Sequence, residues 1–370
     1  MLLAIKVING NDMDIQIFSQ RLKKARVMQR LTLDGLCARM GNIVSKPAIS
    51  KYESGKMMPT EKVLEALAHA LNVDVTYFSR PMNDDIEKCQ INFRKKSTMT
   101  RGESKALEAQ VLDKVERCLY VRRILQDAGV LGAIHPLRKL PVSTRLEARQ
   151  RADALRREWG LRNEPIYDIK SELEDHGIMV LFIDADKNFD GLSGTVAHSG
   201  EVFIAVNCDT PYVERRRLTT LHELGHQVMS FEGVAPKEQE SLCNEFANEM
   251  LLPTQLFVDY FKRLHSESII MRYRPLQMKY GISIDAIMKK CESLGLLSTS
   301  KYTSYNIIKR QSPSFKNAVE QSLYVESPHY DTFSWSVLQA LSLHLINAEK
   351  ARQLLYDASD KVRADLNAMS

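Results

Sequence analysis

The segment LHELGHQVMS, at residues 221–230, places two histidines four residues apart with a glutamate directly after the first. Residues four apart lie on one face of an α-helix, so His222 and His226 are close enough to bind one metal ion. The apolar residues of the segment follow helical spacing, and the histidines flank that apolar stripe. This pattern predicts an amphipathic helix with both histidines at the edge of the core. The alternative is an amphipathic helix that contains histidine without binding metal.

The glutamate of this segment, Glu223, has the chemistry of a general base. A catalytic zinc ion takes three protein ligands and keeps one position for water. That water loses a proton near neutral pH, and a carboxylate beside the first ligand can take the proton and later deliver it to a leaving amine. The segment therefore predicts a hydrolytic Zn²⁺ site that still lacks one ligand.

The third ligand is expected on the next helix, in the segment KEQESLCNEFANEMLLP at 237–253. On a helical wheel, Glu240 is the acid nearest the centre of the apolar stripe, whereas Glu245 lies nearly opposite and faces water. Glu240 is therefore the candidate third zinc ligand. Asn244 lies one turn later on the same side and is the candidate to support Glu240.

Residues 14–80 concentrate the positive charge of the chain. They contain eleven Lys/Arg and six Asp/Glu, and the resulting net charge of +5 equals that of all 370 residues. Apolar residues at helical spacing, with Thr or Ser at the helix starts and Gly55 at a helix end, predict five short helices. Phosphate is the simplest partner for this charge. The order of a short helix, a tight turn, a second helix and then a basic helix is the helix-turn-helix pattern, for which we expect double-stranded DNA as the partner.

The third of these helices is the candidate DNA-contacting element. A helix that enters the major groove must present small and polar side chains. The face expected to do so comprises Ser45, Lys46, Pro47, Ser50 and Lys51. The opposite face, with Ala48, Ile49 and Tyr52, is expected to lie in the core of the domain.

This segment contains three short motifs in a fixed order. They are an Ile-Ser-Lys-x-Glu-x-Gly run, a proline four residues after that glycine, and a Leu-x-x-Leu-Ala-x-Ala-Leu helix. Over about 65 residues the segment resembles the lambda-repressor-like (Xre-type) helix-turn-helix domain, with a longer turn, GNIVS, before the third helix. The resemblance implies DNA binding and a homodimer, because one copy reaches only one half-site. The alternative is a helix bundle that contacts only proteins.

A second resemblance covers residues from about 143 to 300. It rests on WGLRNEPIYDIKSELEDHGIMV, FIAVNCDTPYVERRRLTTLHELGHQVM and EQESLCNEFANEMLLP, the last with Cys243 in place of an alanine. These segments resemble the ImmA/IrrE family of zinc metallopeptidases. The resemblance implies that the two histidines and Glu240 bind zinc and that Glu223 is the general base. It also implies a protein substrate, because members of this family typically cleave helix-turn-helix repressors.

The patterns divide the chain into five segments of an α+β, mostly helical protein. We predict a tail at 1–13, an all-α five-helix DNA-binding domain at 14–80, a helical linker at 81–142, a zincin-like α+β peptidase domain with a small sheet at 143–300, and a helical region of unassigned role at 301–370. Residues 201–207 are predicted to be an edge strand that holds an extended substrate, with an ordinary sheet strand as the alternative.

The composition favours a cytoplasmic protein with no membrane partner. The six cysteines lack CxxC spacing, no apolar run is long enough to span a membrane, and the first residues lack a signal-peptide pattern.

Three functions agree with these patterns. The first is a DNA-binding transcription regulator with a fused zinc endopeptidase, which cleaves a repressor-type protein in a stress, phage or mobile-element response. The second is a transcription regulator whose peptidase-like domain senses a ligand and cleaves little or nothing. The third is a non-enzymatic, antitoxin-like interaction protein. The complete set of candidate zinc ligands and base favours the first.

Overall fold

The computed structural model describes residues 13–95, 99–134, 136–263, 268–326 and 331–369, so residues 1–12 of the predicted tail lie outside the described residues. The elements, numbered in chain order, are α1 (Ile15–Met28), α2 (Leu33–Arg39), α3 (Lys46–Glu53), α4 (Glu61–Leu71), a 3-10 helix (Val75–Ser79), α5 (Asp84–Glu87), β1 (Gln90–Lys95), α6 (Arg101–Asp127), β2 (Leu140–Pro141), α7 (Arg145–Glu158), α8 (Ile169–Asp175), β3 (Met179–Ile183), β4 (Phe189–Thr195), β5 (Val202–Asn207), α9 (Val213–Val228), β6 (Met229–Ser230), α10 (Pro236–Leu251), α11 (Thr254–Arg263), α12 (Ile269–Tyr280), α13 (Ile284–Ser293), α14 (Thr299–Gln311), α15 (Pro313–Glu320), α16 (Thr332–Ser342), α17 (Ala348–Leu354) and α18 (Asp360–Met369).

These elements form two compact units. Unit 1 contains the described residues within 1–88, 99–133 and 331–370, and its described elements are all helices. Unit 2 contains those within 89–98 and 134–330, and it combines helices with two small sheets. The prediction of a helical amino-terminal domain followed by an α+β domain is confirmed.

The first helices of unit 1 enclose a hydrophobic core. Where the spacing predicted five short helices, the structure has four α-helices followed by the 3-10 helix. Thr32, Ser45 and Thr60 were expected to cap helices. The hydroxyl of Thr32 caps α2, because it accepts a hydrogen bond from the backbone N–H of Gly35 at 3.0 Å, whereas Ser45 and Thr60 precede α3 and α4 without a side-chain capping bond. The fully buried side chains of this core include Phe18, Leu22, Ile49, Leu67 and Phe78.

Buried ion pairs extend unit 1 beyond these helices. Arg21 of α1 has no exposed surface, and it donates to Glu116 of α6 at 2.9 Å. Arg117 of α6 pairs with Asp113 at 3.1 Å and with Asp357, just after α17, at 2.7 Å. Buried charges need such partners because their desolvation is costly. Thus α6 and α16–α18 share a unit with α1–α4, although the sequence division assigned them to a linker and to a separate region.

The main sheet of unit 2 has the strand order β1-β4-β5-β3. β4 is antiparallel to both β1 and β5, and β3 is parallel to β5. Because β5 is paired on both sides, the prediction that residues 201–207 form an edge strand is wrong. Every residue of β5 is buried, and its unbroken apolar run reflects a strand covered on both faces. β2 and β6 form a separate parallel pair.

Two strands of this sheet were not predicted from the sequence. β1 lies in a polar stretch that was interpreted as irregular. β4 contains two glycines, which weaken the sequence pattern of a strand. The first of these glycines, Gly191, has a packing role. A Cβ at Gly191 would lie 2.9 Å from Cγ2 of Thr219 and 3.2 Å from Cγ of Glu223. Because glycine has no Cβ, β4 lies directly against α9 at this position.

The helix α9 is central to unit 2. It packs against β4 and β5 on one side and against α10 on another. Leu221, Leu224 and Val228 of α9 are fully buried, as the helical spacing predicted.

Among the described parts of the chain, no helix combines the length and apolarity needed to cross a membrane.

Candidate metal centre and nucleic-acid interface

The two histidines lie on successive turns of α9. Their ring centroids are 5.0 Å apart and the ring planes are inclined by 71°. The side chain of His222 is 1% exposed, whereas that of His226 is 13% exposed. The pair therefore borders the core of unit 2 and reaches solvent on the side of His226.

Glu240 of α10 brings its carboxylate to both histidines. Its Oε2 is 3.3 Å from Nε2 of His222, and its Oε1 is 3.3 Å from Nε2 of His226. Zinc bonds to nitrogen and to carboxylate oxygen are about 2.0–2.2 Å long, so two ligands of a tetrahedral zinc ion lie about 3.3–3.5 Å apart. The donor types and their spacing fit a tetrahedral metal site.

Asn244 of α10 bonds to His222, a partner that the helical wheel did not indicate. Nδ1 of His222 and Oδ1 of Asn244 are 2.9 Å apart. Because an amide oxygen only accepts, the hydrogen of the neutral ring is on Nδ1. The lone pair is then on Nε2, the atom that faces Glu240, and this is the form of histidine that binds a metal.

Glu223 lies on the side of α9 that faces β4. It has no exposed surface, and its Oε2 accepts a hydrogen bond of 2.8 Å from the hydroxyl of Ser193. The amide of Gln227 donates to the same hydroxyl at 2.9 Å, which holds Ser193 in place. Ser193 was not identified from the sequence, because it belongs to the unpredicted strand β4 and the spacing within α9 carries no sign of it.

A second donor of α10, the thiol of Cys243, also approaches the histidines. Its Sγ and one ring nitrogen from each of His222 and His226 all lie within 4.8 Å of one another. Cys243 is fully buried. Burial lowers the pKa of Lys139, and the nearby Cys243 side chain acts in the opposite direction. The Glu240 carboxylate lies 3.3 Å from a ring nitrogen of each histidine, so it is a well placed third donor, and Cys243 is an additional one.

The candidate DNA-contacting residues are exposed on one side of α3. Ser45 directly precedes the helix, and the exposed positions within it are Lys46, Pro47, Ser50 and Lys51. Ile49 and Tyr52 are buried in the core of unit 1, as predicted. Nζ of Lys46 lies 2.7 Å from Oδ2 of Asp34, and this hydrogen bond raises the pKa of Lys46.

Two family models match parts of this chain. The helix-turn-helix model matches residues 22–78, which include α3. The model of the IrrE N-terminal-like domain matches residues 173–292, which include α9 and α10. The chain joins a helix-turn-helix domain to an IrrE N-terminal-like domain. Both resemblances predicted from the sequence are thereby confirmed.

The two domains indicate the broad class of the protein. The helix-turn-helix domain supports DNA binding, and the IrrE N-terminal-like domain is metallopeptidase-like. The two histidines, Glu223, Glu240 and Cys243 all lie within the residues that match the IrrE N-terminal-like domain. No curated protein matches the chain.

Proposed function

We propose that this protein is a DNA-binding transcription regulator whose IrrE N-terminal-like domain is a zinc-dependent endopeptidase. The observation that carries the proposal is the pair of 3.3 Å distances between the Glu240 carboxylate and the Nε2 atoms of His222 and His226. Each histidine nitrogen thus lies as far from a carboxylate oxygen as two ligands of a tetrahedral zinc ion lie from one another. A general base next to the first histidine completes the set needed for hydrolysis.

Each side chain has one role in this proposal. His222, His226 and Glu240 hold the zinc ion, and Asn244 keeps Nε2 of His222 free of hydrogen. When bound, the ion supplies Lewis acidity toward water and a peptide carbonyl. Glu223 takes a proton from the attacking water and delivers it to the leaving amine.

The helix-turn-helix domain supplies the contact with double-stranded DNA. In this proposal α3 enters the major groove, where Lys46 and Lys51 neutralise phosphates and Ser45, Pro47 and Ser50 lie against the groove. Two copies bind together, because each copy reads only one half-site of a symmetric operator.

We propose a repressor-type protein as the substrate. A chain that binds operator DNA shares that DNA with repressors, and this raises the local concentration of such a substrate around the peptidase domain. The side chains of His226 and Glu240 are 13% and 37% exposed, so the proposed centre is accessible from solvent on their side.

Metal analysis combined with a cleavage assay tests the proposed activity. The purified full-length protein should contain one zinc ion per chain, and it should cleave helix-turn-helix repressors encoded near it only when zinc is present. Glu223→Gln should retain zinc and DNA binding, and its cleavage rate should fall about 10²–10⁴-fold. Glu238→Gln, the same change at an exposed position of α10, should cleave normally. A zinc-loaded Glu223→Gln variant as active as the parent would contradict the proposal.

A second candidate function is a regulator whose metal site acts as a sensor with little or no cleavage. It is favoured by the complete burial of Glu223 and by the proximity of the Cys243 thiol to the histidines. This function requires that His226→Ala alters DNA affinity while the parent shows no proteolysis. An unchanged DNA affinity in His226→Ala would exclude it.

A further inference from the structure

We propose that Cys243 is a fourth protein ligand of the metal ion, so that four side chains close its coordination. This inference rests on the proposed metal centre, because it assumes an ion held by His222, His226 and Glu240. Structural zinc sites have four protein ligands, whereas catalytic sites keep one position for water. The thiol would therefore occupy the water position in the resting protein and slow cleavage by the parent without abolishing it, because zinc can expand to five ligands in the transition state.

Two packed helices each offer two donors. α9 provides the histidines at a spacing of four, and α10 provides Glu240 and Cys243 at a spacing of three. Residues at either spacing share a face of a helix, so both donors of α10 can face both donors of α9. This is the arrangement of a four-ligand site built from two helices.

The sulfur is near bonding position. Sγ of Cys243 and the imidazole nitrogens lie within 4.8 Å of one another. With Zn–S and Zn–N bonds of about 2.3 and 2.0 Å, a tetrahedral ion holds sulfur and nitrogen about 3.5 Å apart. A separation of at most 4.8 Å exceeds that value by no more than about 1.3 Å, a difference that a side-chain rotation can close.

Gly225 allows this approach. It lies between the two histidines in α9, and a Cβ on it would lie 3.4 Å from Cα of Cys243 and 3.2 Å from Cδ1 of Phe246. A side chain at this position would press on α10 at the turn that carries the cysteine. Glycine at position 225 therefore favours close packing of the two helices at this turn, above all against Phe246.

The charge of the four-ligand set also bears on reactivity. Cysteine binds zinc as the thiolate. One thiolate and one carboxylate together neutralise a divalent ion. An ion neutralised in this way attracts electrons from water and carbonyl groups less strongly than one held by two histidines and Glu240 alone.

X-ray absorption at the zinc edge of the zinc-loaded full-length protein tests this inference without measuring activity. We expect one sulfur neighbour at about 2.3 Å and nitrogen or oxygen neighbours at about 2.0 Å. Cys243→Ala and Cys243→Ser should both retain one zinc per chain and lose the sulfur neighbour. Cys291→Ala removes another buried thiol of unit 2, and this variant should retain the sulfur neighbour of the zinc ion. In cobalt-loaded protein, a thiolate-to-cobalt absorption band should disappear in the two Cys243 variants alone.

The outcomes separate this inference from the proposed metal centre. One zinc per chain with only nitrogen and oxygen neighbours in the parent overturns the role of Cys243 and leaves the three-ligand centre standing. A sulfur neighbour that persists in Cys243→Ala also overturns it. A parent that binds no stoichiometric zinc, or a His226→Ala variant that binds zinc as tightly as the parent, overturns the metal centre and with it this inference.

Discussion

His222 and Asn244 form a hydrogen bond of 2.9 Å that joins α9 to α10 beside the candidate metal centre. The bond orients the imidazole ring and selects the form with its lone pair on Nε2. Asn244→Ala should therefore weaken zinc binding about 10–100-fold, as measured by competition with a chromophoric chelator. Asn248→Ala is the matched control, since Asn248 is on the same helix but donates to the carbonyl of Ala286. Equal zinc affinities in the two variants would contradict the role of Asn244.

Ser193 is expected to position Glu223 without binding metal. Its hydroxyl donates to the buried carboxylate at 2.8 Å, and a hydrogen bond to a charged group is worth about 1.5–3 kcal/mol. Ser193→Ala should lower kcat about 10–100-fold and leave KM and zinc content unchanged. The control is Ser322→Ala, because Ser322 also donates at 2.8 Å to a buried glutamate, Glu214. The prediction fails if both variants lose activity equally.

The exposed lysines of α3 are expected to contact phosphates. Lys46→Glu combined with Lys51→Glu should weaken DNA binding and reduce the slope of log K against log salt concentration by about 2, one unit for each lost contact. The measurement is a titration of labelled duplex at several salt concentrations. Lys105→Glu combined with Lys361→Glu makes the same change of charge at exposed positions of α6 and α18, and it should preserve the slope. An unaltered slope in the α3 variant would favour a domain that contacts only proteins.

The buried carboxylate of Asp113 predicts acid sensitivity of unit 1. Burial alone would raise the pKa of Asp113, but Arg117 and Arg80 outweigh it and lower this pKa to about 2. A lowered folded-state pKa contributes stability that is present above the unfolded value, near 4, and is lost as the pH falls toward 2. The free energy of unfolding should thus fall by roughly 2 kcal/mol from this group between pH 5 and pH 2.

Denaturant unfolding at several pH values measures this effect. The chain has two tryptophans, and in a Trp159→Phe background the fluorescence of Trp335 reports on unit 1. Asp113→Asn should be less stable at neutral pH, because Arg117 loses a buried partner, and its stability should vary less with pH in the acid range. Asp127→Asn, at an exposed position of α6, should follow the parent. A parent-like acid dependence in Asp113→Asn would refute the assignment.

The elements that were predicted well are those whose signal is local. The apolar stripe of α9 and the positions of His222 and His226 follow from helical spacing, which is independent of the rest of the fold. The same spacing placed Glu240 on the side of α10 that meets the histidines. It was less reliable for Glu245, which was expected to face water and instead bonds to Arg149 at 2.7 Å. A wheel indicates the apolar face of one helix but not every helix that packs around it.

The sequence by itself determined the two domain types, the pair of histidines and the acid that approaches them, because each depends on residues a few positions apart. Only the tertiary structure decided that Ser193 bonds to Glu223, that Cys243 lies beside the histidines and that β5 is an inner strand. The tertiary structure also brings Arg117 within hydrogen-bonding distance of Asp357, which lies 240 residues later in the sequence. These relationships depend on how separate elements pack and pair, and packing is set by the whole core rather than by the spacing within any one segment.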